Sequence, residues 1–178
     1  MTPRLAKLPM NSMRARQLIE TLQLQPHPEG GWYREMFRSS AQVMPADGRA
    51  ARDALTTIYF LLEADQHSRW HRVQSDEVWI HLEGAPLALW TSDAALRTPP
   101  AHLRLGPVDV HGTRPQHTVP AGQWQAARPI IAPAGPDYTL VSCTVGPGFD
   151  FDDFAFMQPD GDEAALLRHH WPDLAALI

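Results

Sequence analysis

The chain has 178 residues, and its 44% hydrophobic content is enough for the core of one domain without disulfide bonds. Fifteen basic and 20 acidic side chains give a formal net charge of −5, which argues against nucleic acid as a partner. No apolar stretch approaches the roughly 20 residues that cross a bilayer, and the N-terminal segment lacks the apolar run of a secretory signal. We therefore expect a cytoplasmic protein with no membrane partner.

The predicted elements are short, because 17 prolines and 11 glycines divide the sequence. A helix is predicted over about 12–24, where Asn11 and Ser12 precede apolar residues at helical spacing. Alternating β-branched and aromatic segments predict strands Trp32–Arg38, Leu55–Leu62, Ser68–Val73, Glu77–Leu82, Pro86–Thr91, His102–Leu105, Gln116–Val119, Gln123–Arg128 and Tyr138–Val145. A helical segment follows over 160–178. The strand series predicts one all-β domain over 1–178, with a sandwich or barrel over 30–154.

The segment 68–84 contains the most informative chemistry. Strand alternation places Glu77, Trp79 and His81 on one face, which either meets water or faces the interior of a barrel. His71 precedes a predicted turn over 74–76, so a hairpin would bring its imidazole beside Glu77. An imidazole and a carboxylate together can hold a divalent metal or exchange protons.

Other polar side chains are candidate pocket residues. In the first predicted strand, alternation presents inward either the face with Tyr33, Glu35 and Phe37 or the face with Trp32, Arg34 and Arg38, and the sequence leaves this open. Tyr59 and Ser68 offer hydroxyl groups that could contact a ligand.

These motifs resemble those of the cupins. Cupin motifs pair histidines with a glutamate and a glycine, and here Glu77 is followed after six residues by Gly84, with His71 upstream. Pro120-Ala121-Gly122 reproduces the Pro-x-Gly core of the second cupin motif. The segments 26–39, 55–63, 68–84, 115–128 and 138–154 are similar to cupin family 5, a group of small bacterial and fungal cupins labelled as a domain of unknown function.

The resemblance implies a double-stranded β-helix, or jelly roll, with short terminal helices, a pocket inside the barrel and a homodimer. By motif position, the metal ligands would be His71, Glu77 and Gln125, with His81 as a replacement imidazole. Gln125 stands where cupins have a histidine, and a neutral amide is a weak ligand for transition metals. A site for Zn, Fe, Ni or Mn and a metal-free pocket therefore both remain open.

Two functions are consistent with these residues. In the first, the protein is an epimerase, isomerase or lyase, in which His71 and Glu77 transfer protons on a polar metabolite such as a sugar derivative. This chemistry needs an acid and a base but no electron carrier. In the alternative, the protein binds a small metabolite without converting it. The expected ligand-binding residues are Glu35, Tyr59, Ser68, Trp79, His81 and Gln125.

Overall fold

Two antiparallel β-sheets face each other and form a jelly roll in the computed structural model, which describes residues 10–178, with side chains from residue 13. The strands are β1 (Gln25–Pro26), β2 (Trp32–Arg38), β3 (Gln42–Val43), β4 (Arg52–Asp53), β5 (Thr56–Glu63), β6 (Ser68–Val73), β7 (Asp76–Gly84), β8 (Leu87–Ser92), β9 (Ala101–Leu105), β10 (Gln116–Val119), β11 (Trp124–Pro129), β12 (Tyr138–Gly146) and β13 (Phe154–Phe156). The helices are α1 (Met10–Thr21), α2 (Asp162–His170) and α3 (Pro172–Ala175), and a 3₁₀ helix spans Phe151–Asp153. The predicted all-β class with terminal helices is confirmed.

The strand order places several consecutive strands on opposite sheets. One sheet has the order β1-β2-β5-β12-β7-β10, and the other has the order β13-β6-β11-β8-β9. The short strands β3 and β4 form a separate ribbon. The chain crosses between the two main sheets from β5 to β6 and again from β6 to β7, so both sheets contribute to one interior.

The interior is filled by large apolar side chains at one end only. Along β5, Phe60 and Leu62 belong to the core cluster between the sheets, whereas Thr56 and Ile58 line a cavity. Along β7, Trp79 is in the core and Glu77 lines the cavity. β5 and β7, which flank β12, change in the same direction, and this leaves one end of the barrel open.

The outer faces of both sheets are covered by helices. Ala15 and Leu18 of α1 pack against Leu61 and Leu140 on the six-stranded sheet. The C-terminal helices cover the five-stranded sheet, where Leu167 packs in a cluster with Trp70, Trp90 and Trp124. Among the described residues, no helix has the length and apolar character needed to cross a membrane.

Candidate functional site

A cavity of about 540 Å³ occupies the open end of the barrel, within the size range of small-molecule sites. Both sheets contribute to its wall, which mixes polar, apolar and aromatic groups. Its polar lining residues include His27, Glu29, Glu35, Arg38, His71 and Glu77. Three of these, Glu29, His71 and Glu77, are almost completely buried.

The most direct polar contact at the cavity joins Glu29 and His71. Oε2 of Glu29 lies 3.2 Å from Nε2 of His71. The other ring nitrogen, Nδ1, lies 2.7 Å from the carbonyl oxygen of Arg69. A carbonyl oxygen only accepts, so Nδ1 carries the proton in neutral His71 and Nε2 presents its lone pair to Glu29. This contact can therefore pass a proton between a carboxyl group and an imidazole.

The protonation states follow from burial. Burial raises the pKa of Glu29 from 4.5 to about 8, so this carboxyl group is protonated at neutral pH and donates to Nε2 of His71. Burial also lowers the pKa of His71. The pKa of neighbouring His27 falls from 6.5 to about 4, through burial first and the proximity of His71 second. At neutral pH the cavity therefore holds an uncharged acid beside two uncharged imidazoles.

The turn before β2 positions Glu29. The carbonyl of Glu29 accepts from the backbone N–H of Arg69 at 3.0 Å, which ties the turn to β6. Gly30 and Gly31 follow with positive φ angles of 116° and 69°. A Cβ atom at Gly30 would overlap the carbonyl oxygen of His67. Glycine is therefore required here for both its backbone conformation and its close approach.

Glu77 is held by a buried chain of hydrogen bonds. Nε1 of Trp79 donates to Oε1 of Gln125 at 3.0 Å, and Nε2 of Gln125 donates to Oε2 of Glu77 at 2.6 Å. Because an indole N–H is only a donor, it fixes the amide orientation and turns the amide N–H toward Glu77. Burial raises the pKa of Glu77, and charge on Glu77 favours the protonated form of His71.

The cavity entrance contains an ion-paired arginine. Arg38 donates to Glu35 at 3.0 and 2.7 Å and to Asp53 at 2.7 Å. It also donates to the carbonyl oxygen of Phe149 at 3.3 Å, which links β2 to the segment after β12. The rings of Phe149 and Phe151 pack edge to face 5.0 Å apart beside this contact and line the cavity.

The structure answers the question of which face of β2 is inward. A bulge between Glu35 and Phe37 breaks the alternation, so Glu35 and Arg38 both reach the cavity. Arg34 instead contacts the carbonyl oxygen of Leu22 beneath α1. Period-two alternation could not predict this arrangement, because the bulge shifts the phase within one strand.

The central residues of the prediction, His71 and Glu77, both line the cavity. Their predicted hairpin is wrong, because β6 pairs with β11 and β13, whereas β7 pairs with β12 and β10. The two side chains face one interior from opposite sheets. Ser68 is buried with its hydroxyl 3.5 Å from Nδ1 of His71, and Gln125 is opposite His71 on β11.

Of the six predicted ligand-binding residues, only Glu35 lines the cavity. Ser68 and Gln125 contact His71 and Glu77 without lining it, and the other three lie farther away. Tyr59 packs with the α1 cluster on the outer face of the six-stranded sheet, because Ile58 and Phe60 occupy the inward positions of β5. His81 lies at the closed end of the barrel, where Nε2 contacts the carbonyl oxygen of Ala85 at 3.1 Å. Trp79 is a core residue whose Nε1 donates to Gln125, the neighbour of Glu77.

The sequence interpretation missed Glu29 and His27. Both precede the glycine pair in the segment His27-Pro28-Glu29-Gly30-Gly31, outside any predicted strand. The sequence did contain a signal for them: two ionisable residues stand next to a glycine pair, and glycines permit close approach of the backbone. Their burial depends on a contact with β6, about 40 residues later in the chain, which local patterning does not reveal.

Comparison with known proteins identifies the family of this chain and supports the jelly-roll fold. The family model described as Cupin superfamily (DUF985), cupin family 5, matches residues 16–157. The chain belongs to cupin family 5. Among solved structures, this cupin is similar to a hypothetical protein from Leishmania major, with 35% identity, a TM-score of 0.78, and coverage of 92% of this chain and 96% of that one. A Shewanella oneidensis protein is 31% identical, with a TM-score of 0.74 and coverage of 92% and 93%.

A more distant structure shares only the fold. A cupin 2 domain-containing protein from Halorhodospira halophila is 16% identical, with a TM-score of 0.54 and coverage of 86% of each chain. No curated protein matches this cupin. The comparisons therefore establish the family and the fold.

The ligand set implied by the cupin motifs does not fit a metal ion. Oε1 of Gln125, the only ligand atom of its amide, accepts from Trp79, and the amide N–H faces Glu77. A cation between Glu77 and Gln125 would therefore meet a hydrogen-bond donor. Within the part of the chain that the structure describes, no group of three or more His, Cys, Asp and Glu side chains is arranged to hold a metal.

Proposed function

We propose that this cupin is an enzyme that transfers protons on a small polar metabolite, such as a sugar derivative, as an epimerase, isomerase or lyase. The single observation that carries the proposal is the contact of 3.2 Å between Glu29 and His71 at the cavity wall. Burial favours the neutral form of both groups, so an acid and a base coexist at neutral pH. In this catalytic pair Glu29 takes the place that the sequence interpretation gave to Glu77.

The proposed step conserves protons. A bound substrate replaces the hydrogen bond between Glu29 and His71. Nε2 of His71 then accepts a proton from a substrate carbon next to a carbonyl group, while the carboxyl group of Glu29 donates its proton to the carbonyl oxygen. The enzyme then holds an imidazolium and a carboxylate, and the substrate is an enol. Charge on Glu77 stabilises the imidazolium, since it favours protonated His71. Return of the protons to a different carbon or face yields an isomer or epimer.

The test uses deuterium uptake from solvent, which detects proton transfer even when the product is unidentified. Sugars and sugar derivatives are incubated with the protein in D₂O and analysed by mass spectrometry and NMR. We expect at least one compound to gain carbon-bound deuterium. Glu29→Gln and His71→Asn should slow this exchange by about 100-fold or more, the usual contribution of one acid or base. Glu83→Gln, a matched change at the closed end of the barrel, should keep the rate.

Two results would overturn the proposal. One is unchanged exchange in both Glu29→Gln and His71→Asn, which would place the chemistry elsewhere. The other is a compound that binds in the cavity and is recovered without deuterium or rearrangement after long incubation. That result would support the alternative function, binding of a metabolite without conversion.

A further inference from the structure

The charges around the cavity are unbalanced. Four acidic side chains line it, Glu29, Glu35, Glu77 and Asp150, whereas Arg38 is the only lysine or arginine among the described lining residues. Glu29 is protonated at neutral pH and burial raises the pKa of Glu77, so the imbalance is carried first by Glu35 and Asp150 at the entrance. Arg38 is already shared by two carboxylates, those of Glu35 and Asp53. One guanidinium group therefore faces two negative groups at the entrance before the other acidic residues are counted.

The histidines do not correct this imbalance. Burial lowers the pKa of both His27 and His71, so neither adds positive charge at neutral pH. Phosphate and carboxylate groups are usually recognised by an available arginine, lysine or cluster of backbone N–H groups. No described lining residue offers an unpaired arginine or lysine, so an anionic ligand would meet repulsion in a partly enclosed space.

The entrance favours the opposite charge. Phe149, Phe151 and Phe154 line the cavity beside Asp150, and Tyr33 lines it near Glu35. Aromatic rings attract cations through their negative faces, and nearby carboxylates add to that attraction. A cationic group that enters would also be attracted by charge on Glu77.

From this arrangement we infer that the cavity selects a small organic cation, a metabolite that carries an amine and lacks phosphate or carboxylate groups. The inference rests on the proposed function only in placing the substrate in this cavity. Among sugar derivatives, it favours amino sugars over sugar phosphates and sugar acids.

Cys143 permits a direct test, because it is the only cysteine of the chain and it lines the cavity. Its rates of modification by 2-aminoethyl methanethiosulfonate, a cation, and 2-sulfonatoethyl methanethiosulfonate, an anion, report the local potential. The rate with the cation is divided by the rate with the anion, and this ratio is normalised by the same ratio for a small free thiol. We expect a value of at least about 10, the lower range for electrostatic focusing in a cleft.

Variants assign the effect to the cavity. Glu35→Gln combined with Asp150→Asn should lower the ratio at least threefold, whereas Glu163→Gln, on α2 away from the cavity, should leave it unchanged. If Cys143 reacts too slowly because it is buried, Ile58→Cys in a Cys143→Ser background supplies a less buried thiol on the same wall.

A normalised ratio of one or less at either thiol would overturn the inference. So would a ratio that the double substitution at Glu35 and Asp150 leaves unchanged. The measurement needs no turnover, so its outcome is independent of the deuterium exchange. A cation-selective cavity without exchange would refute the proposed chemistry alone, and exchange without cation selection would refute this inference alone.

Discussion

The raised pKa of Glu29 makes the stability of the protein depend on pH. A carboxyl group with a higher pKa in the folded state than in the unfolded state binds more protons when folded, between the two pKa values. For Glu29 this window runs from 4.5 to about 8. The free energy of unfolding should therefore fall as pH rises through the window, and Glu29→Gln should remove this contribution.

The magnitude follows from the size of the pKa shift. A shift from 4.5 to about 8 corresponds to at most about 5 kcal/mol over the whole window. His27 acts in the opposite direction, because its pKa is lowered from 6.5 to about 4 and its contribution to stability increases with pH in that range. Above pH 6.5 that opposing change is nearly complete. Between pH 6.5 and 8.0 the wild-type protein should lose about 1.5 kcal/mol through Glu29.

The assay is urea denaturation of the wild type and Glu29→Gln at pH 6.5 and 8.0. The comparison removes the titration of Glu29 and its effect on the pKa of Glu77, while the other titrating groups are present in both proteins. Glu20→Gln, on the exposed face of α1, serves as a matched control and should retain the wild-type dependence. The reasoning is refuted if Glu29→Gln loses as much stability between the two pH values as the wild type does.

Three further predictions concern the groups around the pair. Gln125→Leu leaves a buried indole N–H and a buried carboxyl oxygen without partners and should lower the free energy of unfolding by about 2–5 kcal/mol. The control Gln116→Leu, at an exposed position, should lower it by about 0.5 kcal/mol or less. Equal effects of the two substitutions in urea denaturation would contradict the buried chain of hydrogen bonds. Gly30→Ala should lower the thermal midpoint far more than Gly48→Ala, because Gly48 also has a positive φ but has open space around it. Similar midpoints for the two variants would show that the turn at Gly30 accommodates a side chain. Treatment with EDTA should leave the thermal midpoint and any catalysed deuterium exchange unchanged. Metal content is checked by mass spectrometry. A lower midpoint or a loss of exchange after EDTA would show that the site needs a metal.

The sequence predicted the fold well, because the elements that define it have local signals. The strands Trp32–Arg38, Ser68–Val73 and Gln116–Val119 were predicted with the observed boundaries. Alternation in β7 grouped Glu77 with Trp79 but left open whether that face meets water or the interior, and the structure places Glu77 at the cavity. These predictions succeeded because side-chain period and turn residues are properties of short segments.

The predictions that failed depend on long-range pairing. The hairpin between β6 and β7 was predicted because only a short turn separates the two strands. In the jelly roll the two strands lie in opposite sheets. Tyr59, whose hydroxyl was expected to contact a ligand, lies on the outer face instead, because the phase of β5 depends on its neighbours. Glu29 was missed because its burial results from packing against β6 and not from any pattern around it.

The protonation states of Glu29 and His71 at neutral pH provide the most direct test of the proposed acid–base pair. NMR with ¹³C-labelled glutamate carboxyl groups and ¹⁵N-labelled histidine rings reports both groups in one sample, with Glu29→Gln and His71→Asn to assign the signals. We expect a protonated Glu29 that titrates near pH 8 and a neutral His71 with its proton on Nδ1. An ionised Glu29 beside an imidazolium at pH 7 would contradict the pair.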